Sequence, residues 1–101
     1  MNTDTTIEEK KVVERSLKEP PRYKVIVLND NVTPMEFVIA MLISIFRYDE
    51  KTAYDLTMEV HNQGSAVAGI YSHEVAEQKV VDGTNMARAN NFPLNLKSEA
   101  E

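Results

Sequence analysis

The stretch Tyr23-Lys24-Val25-Ile26-Val27-Leu28-Asn29-Asp30-Asn31-Val32-Thr33-Pro34-Met35-Glu36-Phe37-Val38 contains three structural signals in a row. Tyr23, Val25 and Val27, with Lys24, Ile26 and Leu28 between them, read as a strand buried on at least one face. Asn29-Asp30-Asn31 is a run of turn formers that stops it. A helix start follows, with Thr33 at the N-cap, Pro34 at the first helical position and Glu36 where a capping box needs it. Val32 and Phe37 fall at the two positions of a hydrophobic staple. Strand, turn and helix therefore follow one another without spare residues.

Outward from this stretch the pattern continues. From Pro34 to about Arg47 an apolar stripe of Phe37, Val38, Met41, Leu42 and Ile45 is widened by Met35, Ile39, Ile43 and Phe46. A helix apolar nearly all round is either enclosed or offers a surface to a partner, and a domain this small favours the surface. Asp49 can cap a second helix to about Asn62, with Gly64 at the left-handed position past its end. Its inward stripe is Ala53, Leu56, Thr57 and Val60, with Tyr54, Met58 and His61 on the adjacent strip. Ser65 to Tyr71 reads as a second strand. Ser72 caps a third helix through about Asn90, with Ala76, Val80, Gly83 and Ala87 on one face. Gly83 in its middle costs about 1 kcal/mol against Ala, which predicts a less regular segment there. Phe92 to Leu96 reads as a closing strand and Lys97 to Glu101 as a frayed end. The order β-α-α-β-α-β predicts an α+β sandwich: a small three-stranded antiparallel sheet with three helices on one face.

Residues 1–19 are polar and of mixed sign and end at Pro20-Pro21, so they are expected to form a flexible N-terminal extension. Ile7 to Lys18 within them has the composition of a transient helix. Residues 20–101 form the domain. The chain has 101 residues, 43% hydrophobic and 27% charged, as a single globular domain should. Eleven Lys+Arg against 16 Asp+Glu give a net charge of −5. That balance argues against nucleic acid and against an anionic membrane surface. Without cysteine there is no disulfide framework, thiolate nucleophile or zinc ribbon. No apolar run reaches transmembrane length, and the first residues resemble neither a secretory signal nor a transit peptide, so a cytoplasmic location is expected.

Asn29, Asp30 and His61 are the polar groups that chain ends should gather on one rim. Singly they read as turn chemistry and a helix-terminal cation. Together they suit the holding of a primary ammonium, whose three N–H donors match a carboxylate, an amide oxygen and an imidazole nitrogen. Such a site rejects an acylated nitrogen, because its acceptors would go unpaired. Metal binding lacks a third strong ligand at a usual spacing. Hydrolysis lacks a nucleophile, since Ser65 and Ser72 sit at turn and cap positions, and His73 reads as solvent-facing. No cofactor and no enzymatic activity are expected.

The run from Tyr23 to Val38 resembles the signature of the ClpS family, adaptors of the ATP-dependent Clp protease. Val60-His61-Asn62-Gln63-Gly64, Glu74-Val75-Ala76-Glu77-Gln78-Lys79-Val80, Ala87-Arg88 and Pro93-Leu94 are similar to the same family, in order, across about Pro20 to Leu96. The resemblance implies recognition of N-degrons, chains that begin with Leu, Phe, Tyr or Trp, and delivery to the N-terminal domain of a ClpA-type AAA+ unfoldase. It implies Asn29, Asp30 and His61 at the α-amino group, and Val27, Thr33, Met35, Val38, Thr57, Val60 and Leu94 around the side chain. It implies Glu74 and Lys79 at the unfoldase, residues 1–19 as the extension engaged during hand-over, and a fold like the carboxyl domain of the ribosomal stalk protein. Three departures stand out. Asn31 occupies a place where many members carry a second Asp, and Thr57 one where many carry a Met at the pocket mouth. Asp82-Gly83-Thr84 is more polar than helix three of the family. A second reading is an unfoldase-docking module that ignores N-termini.

Overall fold

The computed structural model describes residues 20–101, so residues 1–19, with the expected extension and its Ile7–Lys18 helix, lie outside the described residues. Strand β1 (Arg22–Leu28) is followed by helix α1 (Met35–Phe46), helix α2 (Glu50–Gln63), strand β2 (Ser65–Ser72), helix α3 (His73–Ala89) and strand β3 (Asn95–Ala100). The sheet order is β2-β1-β3 with both pairings antiparallel, as expected for the α+β sandwich. Period-two alternation sends Val25 and Val27 of β1 inward, Ala66 and Ala68 of β2 beside them, and Leu96 of β3 opposite Val27. The register of β2 shifts opposite Val25 and Ile26, where Ala68 is the extra residue, and both alanines are buried.

The first helix is more enclosed than its all-round apolar sequence predicts. Phe37, Val38, Met41, Leu42 and Phe46 are buried, and α1 packs on α2, α3 and β2. The small domain achieves this because α1 lies between its neighbours, leaving Glu36, Ala40, Ser44 and the 37% exposed Ile43 for solvent. Lys79 of α3 closes the far end of α1: its Nζ donates to the Ile45 carbonyl at 2.7 Å, an acceptor that a helix end leaves unpaired. The same ammonium stands 5.9 Å from the Phe46 ring centre and 5.8 Å from that of Tyr71.

Three local expectations are corrected. The helix start carries no side-chain cap: α1 begins at Met35 with Pro34 at its N-cap, so Thr33 stands one residue too early, and Val32 is 65% exposed, so no staple forms. Helix α3 runs unbroken through Gly83, where a Cβ would stand 2.8 Å from Leu96 Cδ2. The glycine thus serves close helix–sheet approach. The last strand begins at Asn95 and includes Lys97 to Ala100, the residues expected to fray. Phe92 instead packs edge-on against Phe37 at 5.0 Å, and Arg88 Nη1 donates to the carbonyls of Phe92 and Leu94, both at 2.8 Å. Among the described residues no helix is long and apolar enough to cross a membrane.

Gly64 ends α2 at φ 90°, its N–H donating to the Val60 carbonyl at 2.9 Å. Its own carbonyl accepts the Asn29 N–H at 2.9 Å, which ties the end of β1 to the end of α2. Nothing lies within 4 Å of a Cβ there, so Gly64→Ala meets backbone strain alone. The expected cost is about 1 kcal/mol, measured as a lowered urea midpoint with an unchanged m-value.

Candidate functional site

The tie between Asn29 and Gly64 brings the β1–α1 turn against the last turn of α2, and a cavity of about 230 Å³ opens between them. Its walls are graded. Asn29, Asn31 and His61 are exposed and form a polar rim, while Val38, Thr57 and Val60 are 5%, 2% and 3% exposed and form an apolar inner end. Asp30, Thr33 and Met35 lie between the two.

Asp30 is the most constrained member. Its Oδ1 accepts the backbone N–H groups of Val32 at 2.8 Å and Thr33 at 2.7 Å, and its Oδ2 accepts the Thr33 hydroxyl at 2.8 Å. This is an Asx-type turn closed by a hydroxyl. Burial alone would raise the Asp30 pKa, but the bonds from Thr33 and Val32, with the nearby Arg88 charge, hold it below the usual carboxylate value. The carboxylate therefore stays ionised, with three of its lone-pair sites taken up inside its own loop.

Most of the residues expected at the site come together: Asn29, Asp30, His61, Thr33, Met35, Val38, Thr57 and Val60 all line this cavity. Val27 and Leu94 do not line it. Each is 1% exposed in the core, Val27 because strand alternation turns it inward. Thr57 stands at the inner end rather than the mouth, and its hydroxyl is donated to the Ala53 carbonyl at 2.7 Å, so it presents no unpaired polar group. Asn31, read from sequence only as a turn residue and a departure, lines the rim. Once Asp30 is committed to the turn amides, the next amide along the chain is left facing the opening. Glu74 is exposed in the first turn of α3, whereas the Lys79 ammonium is directed into the fold as described above. His73 is exposed with its ring centre 4.6 Å from that of Tyr23.

Residues 18–97 match the family described as "ATP-dependent Clp protease adaptor protein ClpS". The chain belongs to the ClpS family. It is 50% identical over 82 residues to the ClpS adapter of Escherichia fergusonii, covering 81% of this chain and 77% of that one. It is 46% identical over 96 residues to the ClpS adapter of Sodalis glossinidius, covering 91% of each. Among solved structures it is similar to ClpS2 of Agrobacterium tumefaciens bound to L-phenylalaninamide. That ClpS structure has a TM-score of 0.81 and 38% identity, over 82% of this chain and all of that one.

The lowered Asp30 pKa has a defined stability signature. Its contribution is fully present above the unfolded-state value of about 3.9 and is lost as pH falls through the lower folded value. Asp30→Asn should therefore be less stable than the parent at pH 7, by about 1 kcal/mol. The gap should narrow as pH falls below the unfolded-state value of about 3.9, as read by urea unfolding at pH 7 and in acid.

Proposed function

We propose that this domain captures chains by a free N-terminus bearing a bulky hydrophobic first residue (Leu, Phe, Tyr or Trp) and delivers them to a ClpA-type AAA+ unfoldase. The observation that carries the reading is the graded cavity: a rim of polar acceptors above an apolar inner end of about one side chain's size. An α-ammonium at the rim offers three N–H donors. The side-chain oxygens of Asn29 and Asn31 and an imidazole nitrogen of His61 accept them, and the ionised Asp30 attracts the cation from behind. The first side chain enters between Thr33 and Met35 and is buried against Val38, Thr57 and Val60, which contributes about 1.5–3 kcal/mol. The ligand of the Agrobacterium relative supports this reading, since phenylalaninamide has a free α-amino group, a benzyl side chain and no free carboxylate.

The role is binding and hand-over, with no catalytic step and no cofactor, in the cytoplasm. Glu74 is an exposed contact for the unfoldase, and Lys79 sets the adjoining surface by fastening α3 to α1. Residues 1–19 are the extension that the unfoldase engages, and residues 20–101 bind the substrate. Removing residues 1–19 should leave peptide affinity unchanged and stop degradation of an N-degron reporter by the reconstituted protease. Equal degradation with and without them would remove that role.

Fluorescence polarisation with peptides beginning Leu or Phe tests the capture. Acetylating the peptide N-terminus should weaken binding at least about 100-fold, since two or more charge-assisted bonds are lost. His61→Ala should weaken it about tenfold. Asn31→Asp should strengthen it about fivefold by adding a charged acceptor at the rim. A chain that binds the unfoldase and ignores all these peptides would be a docking module instead.

A further inference from the structure

We infer that Thr33 is a positioning residue, whose hydroxyl orients the Asp30 carboxylate and through it the Asn29–Thr33 turn that carries the rim of the site. The inference rests on the reading of the cavity proposed above. Thr33 lines that cavity, and a threonine can serve there in two ways. Its methyl can be wall, or its hydroxyl can be structure.

The geometry favours the hydroxyl. Oδ1 of Asp30 takes two backbone donors, from Val32 and Thr33, and leaves Oδ2 to a separate partner. The second torsion of an aspartate is broad, so a bond to the second oxygen narrows it further. That bond is the Thr33 hydroxyl at 2.8 Å, a charge-assisted contact stronger than one between neutral groups. The start of α1 points the same way. Pro34 stands at its N-cap and no side chain caps it, so the Thr33 hydroxyl is engaged with Asp30 and not with the helix. Asn29 and Asn31 flank Asp30 in the chain, and their direction at the rim depends on the turn that this bond completes.

Two charged or titratable groups also face Asp30: Arg88 on α3, whose cation favours the ionised carboxylate, and His61 on α2, which lines the same cavity. Neither changes when Thr33 is replaced, so the effect of the hydroxyl can be isolated. The two roles of Thr33 give opposite orders of variants. Valine keeps the shape and loses the hydroxyl, whereas serine keeps the hydroxyl and loses the methyl.

The test uses the full chain with Thr33→Val and Thr33→Ser. Affinity is measured for peptides beginning Leu, Phe and Trp, and the Asp30 carboxyl carbon is followed by NMR titration. Thr33→Val should weaken all three peptides about tenfold and by the same factor. Its Asp30 should also titrate at higher pH than in the parent, because the charged form has lost a donor. Thr33→Ser should keep the parent's Asp30 titration and, lacking only a methyl of the cavity wall, bind better than Thr33→Val. Retained affinity in the valine variant with loss in the serine variant would overturn the inference, as would an unmoved Asp30 titration. Should the valine variant fail to fold, an Asp30 titration in the serine variant raised above the parent's overturns it alone. Failure of the unsubstituted chain to bind any of the peptides would instead overturn the reading of the cavity, and the inference with it.

Discussion

One carboxylate organises the functional end of this molecule. Asp30 draws the amides of Val32 and Thr33 and the hydroxyl of Thr33 onto itself, closing the turn between the central strand and the first helix. A charge held by three donors costs little to keep half-buried, and it is not free to swing into the opening. The turn it closes is anchored a second time where the Asn29 amide meets the Gly64 carbonyl. Together these contacts set the spacing between the β1–α1 turn and the end of α2, and that spacing is the cavity.

The rest of the fold keeps the two elements in place. Strand β1 is central, so its end cannot move without disturbing both neighbours. Helix α1 is buried along one side by Met41, Leu42 and Phe46 and fastened at its far end by Lys79. Gly83 lets α3 settle closely over Leu96, and Arg88 near the end of α3 gathers the segment that leads into β3. Small residues and one long cation do at the helix–sheet boundary what larger apolar side chains do in bigger cores. On the proposed reading, a surface that takes many different proteins by one residue profits from such rigidity, because recognition then depends on a few well-placed acceptors.

Much of this could be read from residues. Alternation in β1, the glycine after α2 and the serine before α3 each predict their own geometry, because each depends on local chemistry alone. Asn29, Asp30 and His61 could be grouped because chain ends of a small sandwich share a rim. Thr33 misled for a physical reason. The pattern around Thr33-Pro34 fits a capping box, but the helix begins one residue later, with Pro34 at the N-cap, and the Thr33 side chain closes the Asp30 turn. The closing strand misled for another. Phe92 and Leu94 are apolar enough for a strand, yet pairing with β1 needs backbone in register, so the polar residues to Ala100 form it and only Leu96 and Ser98 turn inward near its middle. Burial of Val27 and Leu94 behind the cavity depends on packing between distant elements, which no local pattern reports.

The central claim is that a free α-amino group and its side chain enter the cavity between the β1–α1 turn and the end of α2. The most direct measurement is amide chemical-shift mapping of the isotopically labelled chain during titration with L-phenylalaninamide. Saturable shifts are expected, concentrated at Asn29 to Met35, Val38 and Thr57 to His61, with little change on the solvent face of the sheet at Ile26, Val67 and Lys97. Saturable shifts centred elsewhere, or none at all, would contradict it.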